Sequence, residues 1–437
     1  MKRTGDFITI SPKDFIHGPY ITCPKCGKNS FGVLTISGGG YCRRCAECYY
    51  PHGHEAAAFF PLPELDKKII YLDQFAISNM MLLLHPKTES RRKKRVSPFW
   101  GELFGRIDSL CKLQLIICPD SDFHRTESSL APFYDSLQRM YELLSHGVSF
   151  YDHETIRRFQ ISHQLEAWLG EQEIPPLNVH QIVHGSINIW QERFIISFNM
   201  PRNPDTANAI RQSREQVLEG MKEVFVQWRE DKSMTFDDWY EEERNSWPRA
   251  LAKSYHEFLA NYALVSMGAR PFQLDAILPN FAVITFHCIK DRLKEHGYEK
   301  RELDGKLIEF LQSREFKDAP FLRISAMLYA ALARKVAAGR KKPPTKGFAT
   351  DVEIVSTLLP YCDAMFIDNE CAGYLAEEPL CNEIKYGTKI FSLNTKDEFL
   401  EYLDGIKTDA PKEHFDVVKE VYGVDWGKPF VELYRQD

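Results

Sequence analysis

The sequence lacks any long uninterrupted run of apolar residues. No stretch of about 18 apolar residues occurs in the 437-residue chain, and the most apolar window, residues 281–288, is too short to span a bilayer. The N-terminus also lacks the apolar segment and the small-residue cleavage pattern of a signal peptide. We therefore expect a cytoplasmic protein with no membrane partner, in which residues 281–288 form part of a buried helix.

The composition lacks any strong bias. Hydrophobic residues make up 44% of the chain and charged residues 27%, which excludes a disordered or fibrous class. The length favours two or three structural units over one compact domain. The net charge of −6 does not by itself indicate a nucleic-acid partner.

Several common catalytic motifs are also absent. The chain has no G-x-S-x-G nucleophile elbow, no phosphate-binding glycine loop and no H-E-x-x-H helix. The three consecutive glycines at 38–40 lie among cysteines and are interpreted as a turn. These absences argue against the hydrolases and nucleotide-binding enzymes that depend on those motifs.

Five of the eleven cysteines lie close together near the N-terminus, which favours a metal site over disulfide bonds. Cys23 and Cys26 form one C-x-x-C pair, and Cys42 and Cys45 form another after fifteen intervening residues. Each pair can bring two thiolates to one side of a tight turn, and Gly27 relieves the backbone after the first pair. We predict that these four cysteines bind a structural zinc ion.

Neighbouring residues offer alternative zinc ligands. Cys48 makes a competing pair with Cys45, and His52 and His54 follow closely. Residues 20–50 resemble the zinc ribbons of nucleic-acid enzymes. We expect residues 1–60 to form a small β zinc ribbon that depends on metal more than on a hydrophobic core.

The rest of the chain alternates between two patterns. Residues 61–130 have a strand–helix–strand–helix rhythm, with strands expected at 67–73 and 112–118. Residues 131–340 consist mainly of long amphipathic segments, which predict a helical insertion. The α/β rhythm returns in 341–437, with a helix at 351–359 and strands at 364–367 and 389–393. The predicted fold class is therefore α/β, a parallel sheet split by a large helical insertion, with the β zinc ribbon at the N-terminus.

Four acidic residues are expected at one edge of this sheet. Asp73 ends the first strand, Glu127 follows the second, Asp351 starts a helix and Asp368 ends a later strand. The carboxyl ends of parallel strands and the adjacent helix starts share one edge, where ligand sites form. Four carboxylates packed together repel one another unless divalent cations neutralise them, which indicates magnesium or manganese.

These segments resemble the PIN-like nucleases over residues 65–130 and 345–405. The resemblance lies in the run of residues that ends at Asp73, in the segment from Cys118 to Glu127, and in the segment from Asp351 to Asp368. It implies a PIN-like parallel sheet in which Asp73 and Asp368 hold a catalytic metal while Glu127 and Asp351 help to complete the site. The helical insertion is much larger than is usual in that family.

Other residues near these segments could replace or assist the four acids. Asp122 and Asp363 are alternative ligands, and Asn369 and Asn394 could assist them. His124 and Arg125 precede Glu127 and either contact the scissile phosphate or belong to a solvated helix face. A single aspartate in such a position is commonly a helix cap, so the interpretation depends on all four acids being in register with the sheet.

Two basic blocks accompany the acidic motifs and are candidate phosphate contacts. The first contains Arg91, Arg92, Lys93, Lys94 and Arg95, and the second contains Arg340, Lys341, Lys342 and Lys346. We expect a nucleic-acid partner, RNA rather than DNA, and the helical insertion offers a surface for a protein partner.

The residues together predict a metal-dependent endoribonuclease of PIN-like type. One alternative is a non-catalytic nucleic-acid-binding module with a degenerate PIN-like fold. Another is a nuclease acting on single-stranded DNA with the same site, because metal chemistry does not distinguish the sugars.

Overall fold

The computed structural model describes residues 2–4, 7–9, 13, 16–37, 40–52, 59–85, 95–131, 133–170, 176–190, 204–271 and 277–422. These residues form an N-terminal antiparallel sheet, a parallel sheet and many helices. Within the same ranges, no helix is both long enough and apolar enough to cross a membrane.

The N-terminal segment is made of short antiparallel strands. Strands β1 (Lys2–Thr4) and β2 (Phe7–Thr9) pair with each other. A second sheet has the order β3-β4-β5-β6, where the strands are β3 (His17–Thr22), β4 (Asn29–Ser37), β5 (Gly40–Cys45) and β6 (Phe60–Pro61). The prediction of a small β unit at the N-terminus is confirmed.

The parallel sheet joins strands from both sides of the helical insertion. Its order is β12-β11-β7-β8, and its strands are β7 (Lys68–Leu72), β8 (Ile116–Ile117), β11 (Ala364–Phe366) and β12 (Lys389–Phe391). Every pairing is parallel, and Leu72 lies opposite Phe366 in the centre. A separate antiparallel pair comprises β9 (Ser149–Phe150) and β10 (Val183–His184).

Helices follow each strand of the first segment. They are α1 (Gln74–Leu84), α2 (Phe99–Lys112) and α3 (Asp122–Ser128). The strand expected at 112–118 is shorter than predicted, because apolar residues at helical spacing extend α2 to Lys112. Gln114 then takes a positive φ of 62° in the turn before β8.

The insertion is helical, as its amphipathic pattern predicts. Its helices are α4 (Tyr134–Ser145), α5 (His153–Leu169), α6 (Pro204–Glu230), α7 (Phe236–Ser266), α8 (Phe281–Glu295), α9 (Leu303–Gln312), α10 (Arg314–Lys317) and α11 (Pro320–Ala337). Helix α8 is buried on one face only, since His287 and Cys288 are exposed, so the expectation of a buried helix at 281–288 is only partly correct.

The last segment contains five further helices among its described residues. They are α12 (Lys346–Leu358), α13 (Asn369–Leu375), α14 (Leu380–Glu383), α15 (Lys396–Asp409) and α16 (Lys412–Tyr422). Helix α12 begins five residues before the predicted start at 351, because the Thr345 side chain accepts the Phe348 N–H and caps the helix there.

Two hydrophobic cores cover the two faces of the parallel sheet. Ile69, Tyr71 and Met365 face one side, where α11 and α12 pack. Ile70, Leu72 and Phe366 face the other side, where α1, α2 and α15 pack. This division follows from the two-residue period of a strand. Helix α11 is apolar almost all round, so it is buried along most of its length and joins the insertion to the sheet core.

Candidate metal centres

The C-terminal edge of the parallel sheet positions three of the four predicted acids through local backbone geometry. Asp73 follows β7 and caps α1, and its carboxylate accepts the Phe75 N–H at 3.2 Å. Asp368 follows β11 and caps α13, and its carboxylate accepts the Cys371 N–H at 2.8 Å. Asp351 lies in the second turn of α12 rather than at its start, and its carboxylate faces Gly347.

Glu127 reaches the same edge from α3. The side-chain amide of Gln74 can be oriented so that its nitrogen donates to the Glu127 carboxylate at 2.9 Å and its oxygen accepts the Ser128 N–H at 3.2 Å. Gln74 is the first residue of α1, directly after Asp73. This pair of hydrogen bonds fixes α3 against the start of α1, which holds Glu127 near Asp73.

The four carboxylates are close enough to perturb one another. Burial, and next the charge of Glu127, raises the pKa of Asp73 to about 7, and Asp368 adds to this effect. Burial also raises the pKa of Asp351, followed by the charge of Asp73 and the hydrogen bond and charge of Asp368. The structure therefore brings Asp73, Glu127, Asp351 and Asp368 together, as the register of the sheet predicts.

Three of the donors at this edge are close enough to hold a metal ion. One carboxylate oxygen of Asp351, one of Asp368 and the Cys371 Sγ lie within 4.8 Å of one another. Because the carboxylates repel one another at low dielectric, a bound cation would remove an electrostatic cost that the isolated cluster carries. Among the described residues, the acids grouped closely enough to share one cation are Asp351 and Asp368, and the charges of Asp73 and Glu127 act on this pair.

The alternative acids make other contacts. Asp363 is at the opposite edge of the sheet, where it accepts the Ile69 N–H at 2.9 Å and pairs with Lys68 at 3.0 Å. Asp122 accepts the backbone N–H of His153 at 3.1 Å at the start of α5. Each serves a local structural contact. Asn369, the first residue of α13, accepts the Asn394 N–H at 3.1 Å, which joins the start of α13 to the turn after β12.

His124 is not a surface residue, contrary to both interpretations of the sequence. Its ring is 1% exposed and stacks between Tyr71 and Tyr141, with ring centroids 5.0 and 4.9 Å away. Its Nε2 is 2.8 Å from the carbonyl oxygen of Leu72, the residue before Asp73. Burial lowers the pKa of His124 to about 4, so the ring is neutral and donates this hydrogen bond. His124 thus attaches α3 to the end of β7.

The basic residues lie partly outside the described chain. Arg91, Arg92, Lys93 and Lys94 are outside the described residues, whereas Arg95 is exposed. Lys341 and Lys342 are exposed just before α12, and the side chain of Lys346 lies outside the described part of the chain.

Two further basic residues form local contacts. Arg125 is exposed and forms a 3.0 Å ion pair with Asp120. Arg340 donates to Glu370 at 2.6 Å and to Tyr374 at 2.7 Å, so it braces α13.

A second group of donors that could hold a metal ion lies in the N-terminal segment. Four cysteine Sγ atoms lie within 4.8 Å of one another, those of Cys23, Cys26, Cys45 and Cys48. The Cys23–Cys48 and Cys26–Cys45 Sγ separations are both 3.7 Å. Four thiolates around a tetrahedral zinc ion, each about 2.3 Å from it, are separated by roughly 3.8 Å. The geometry is therefore compatible with zinc, and such a site is filled by its four protein ligands.

Cys42 does not belong to this group, so the predicted ligand set is corrected. Cys42 and Cys45 both lie on β5, where Cys42 pairs with Thr35 and Cys45 with Phe31. Residues three apart on a strand point to opposite faces and are separated by about 10 Å, so they cannot share one ion. Cys48 takes the place of Cys42 because the chain turns after Cys45.

The two cysteine turns have the same backbone pattern. The Gly27 N–H donates to the Cys23 carbonyl and the Tyr49 N–H to the Cys45 carbonyl, both at 2.9 Å. Gly27 and Tyr49 have positive φ values of 71° and 56°. Glycine commonly adopts a positive φ, so the sequence predicts the first turn. Tyrosine rarely does, so the sequence does not predict the second turn. His52 is exposed outside the group, and His54 lies outside the described residues.

Comparison of the chain with protein-family models, with curated proteins and with solved structures finds no match.

Proposed function

We propose that this protein is a metal-dependent nuclease of PIN-like type, with RNA as its expected substrate. The observation that carries the proposal is the convergence of Asp73, Glu127, Asp351 and Asp368 at the C-terminal edge of a parallel sheet. These residues come from segments almost three hundred positions apart in the chain, and nothing in local secondary structure requires them to meet.

The proposed roles of the four acids are those that the resemblance to the PIN-like nucleases implies. Asp73 and Asp368 would hold a catalytic divalent cation, with Asp351 and Glu127 completing the site. Divalent cations bound in such a cluster supply an ionised water and stabilise the leaving oxygen of a phosphodiester. Lys341 and Lys342 are exposed just before the helix that carries Asp351, where they would contact substrate phosphates.

We further propose that the four-cysteine group binds structural zinc. The separations of its sulfur atoms support this assignment. The ribbon contacts α16 through a small apolar cluster that contains Val33, Tyr41, Val418 and Val421. Zinc would therefore stabilise the position of the ribbon against the rest of the protein.

The proposal is tested by incubating the purified full-length protein with labelled generic RNA and with single-stranded DNA, in magnesium, manganese or chelator. We expect metal-dependent cleavage of RNA that Asp73→Asn and Asp368→Asn abolish while nucleic-acid binding is retained. Asp363→Asn is the matched control, because this acid lies at the opposite edge of the sheet. Cleavage of DNA alone would redirect the proposal to the DNA nuclease.

The main alternative is a nucleic-acid-binding module that does not cleave. It is less well supported, because a degenerate site should have lost an acid and this chain retains all four. If the wild-type protein binds RNA without cleaving it in magnesium, manganese or cobalt, and the Asp73 and Asp368 variants behave identically, the binding module replaces the nuclease.

A further inference from the structure

The four carboxylates of Asp73, Glu127, Asp351 and Asp368, here called the acidic cluster, have a cysteine beside them that the sequence analysis did not predict as a ligand. Cys371 lies in the first turn of α13, three residues after Asp368. Its side chain has no exposed surface, and its Sγ lies within 4.8 Å of the grouped carboxylate oxygens of Asp351 and Asp368. The cap that Asp368 forms on the Cys371 N–H fixes this approach, because it ties the carboxylate to the backbone of the cysteine at 2.8 Å.

The distances between these three donors decide whether they can bind the same cation. Oxygen and sulfur ligands that lie about 2.0–2.3 Å from one shared cation are roughly 3–4.6 Å apart, depending on the angle between them. The separations among Asp351, Asp368 and Cys371 need little adjustment to reach this range. A cation held by the two carboxylates would therefore lie next to the sulfur.

We propose that the Cys371 Sγ is a ligand of the cation held by Asp351 and Asp368, and that it makes this site prefer a transition-metal dication, such as Mn²⁺, Co²⁺ or Zn²⁺, to Mg²⁺. The inference rests on the proposed function only in assuming that the acids bind a cation. Cysteine binds metal as the thiolate, so the thiol proton passes to solvent when the cation binds.

The preference follows from the chemistry of the donors. Mg²⁺ is a hard cation that binds oxygen ligands and retains several waters, so a sulfur atom in its coordination shell is unfavourable. First-row transition-metal dications accept mixed oxygen and sulfur ligands more readily, with affinities that rise from Mn²⁺ through Co²⁺. A site with carboxylates alone would lack this discrimination.

The test uses the full-length protein, with the four-cysteine group loaded with zinc, and titrates it with Co²⁺. We expect a sulfur-to-cobalt charge-transfer band in the near ultraviolet that is absent in Cys371→Ser and in Asp351→Asn. We also expect the Cys371 variant to bind Co²⁺ about 10–100-fold more weakly, since outer-shell partners of metal sites already have effects of this size. Its affinity for Mg²⁺, measured by competition, should change much less.

Cys362→Ser is the matched control, because Cys362 is also a buried cysteine of the α/β core, located before β11 at the opposite edge of the sheet. It should retain both the band and the affinity. Cys371→Ala serves as a second variant if serine prevents folding, with thermal unfolding in chelator as the check.

The possible failures separate the two proposals. If Co²⁺ binds in an Asp351-dependent manner but the spectrum and the affinity are unchanged in Cys371→Ser, the sulfur ligand is wrong and the nuclease proposal stands. If no Asp351-dependent binding of Co²⁺, Mn²⁺ or Mg²⁺ is found, the acidic cluster is not a metal site and both proposals fail.

Discussion

At the scale of single residues, the acidic cluster combines a stabilising role with a destabilising one. Asp73 and Asp368 cap helices, which stabilises the start of α1 and of α13. The same carboxylates repel one another and the half-buried Asp351, and desolvation adds to this cost. Such a conflict is expected at functional sites, where residues are arranged for chemistry rather than for stability.

We predict that Asp73→Asn stabilises the metal-free protein. Asparagine preserves the helix cap but removes the charge, and one unit of pKa shift corresponds to about 1.4 kcal/mol. The free energy of unfolding in chelator near pH 8 should therefore rise by about 2 kcal/mol or more. Chemical denaturation of the two proteins measures the difference.

Asp363→Asn provides the control for this prediction, because it removes an acid that forms an ion pair with Lys68. Its free energy of unfolding should stay unchanged or fall. A loss of stability in Asp73→Asn, similar to that of an ordinary core substitution, would show that the carboxylate cluster carries no electrostatic strain.

At the scale of elements, the position of each functional side chain depends on contacts between helices that lie far apart in the sequence. Gln160 on α5 donates to the Thr357 carbonyl of α12 at 3.1 Å and accepts the Phe321 N–H of α11 at 2.7 Å. Gln160 has no exposed surface. The helical insertion therefore holds α12, and with it Asp351, in place.

We predict that Gln160→Leu destabilises the protein by about 2–4 kcal/mol, because it leaves a buried carbonyl and a buried N–H without their partner. The affinity of the acidic site for divalent cations should also fall, since α12 carries Asp351. Denaturation and metal titration measure the two effects. Gln164→Leu, on the more exposed part of α5, should change neither the free energy of unfolding nor the affinity for cations. If both substitutions have the same effect, the hydrogen bonds of Gln160 have no specific role in positioning α12.

The turn after β5 gives the second prediction at this scale. Cys48→Ser should abolish tight zinc binding, because it removes one of the four grouped sulfur atoms. Cys42→Ser should retain one zinc per chain, since Cys42 lies on β5 outside the group. Elemental analysis of both purified variants distinguishes them. Retention of zinc in Cys48→Ser together with its loss in Cys42→Ser would restore the ligand set predicted from the sequence.

At the scale of the whole molecule, the net charge of −6 conceals an uneven distribution of charge. Four acids meet at the end of the parallel sheet, while the two basic blocks follow α1 in the sequence and precede α12. A polyanionic substrate would contact the basic residues with its phosphates, and the cations of the acidic site would neutralise the carboxylates that otherwise repel it.

We predict that replacing the two exposed lysines before α12, in the double variant Lys341→Glu and Lys342→Glu, weakens RNA binding and reduces its salt dependence. Each lost phosphate contact should decrease the slope of log K against log salt by about 0.7 for a single strand. Metal occupancy should not change. Replacing Arg91 to Arg95 by glutamate should have the same effect.

Lys300→Glu with Arg301→Glu is the charge-matched control, because these residues lie between α8 and α9 in the insertion. If this control reduces the salt slope as much as the substitutions before α12, binding reflects overall charge rather than the predicted basic surface.

The sequence by itself determined most of the elements and their order, but not the β9–β10 pair or the short extent of β8. The apolar run before Asp73 predicts β7, and the later strands and the helical insertion are equally visible, because periodicity depends on which faces are buried. It also indicated the edge of the sheet where the four acids meet, since the carboxyl ends of parallel strands lie together.

Only the tertiary structure decided which side chains converge. Cys42 and Cys48 are equivalent candidates by spacing, and the strand geometry of β5 selects Cys48. The contacts of His124 and the approach of Cys371 to Asp351 join segments far apart in the chain. Local propensity carries no information about such contacts, because they depend on the packing of α3, α12 and α13 around the end of the sheet.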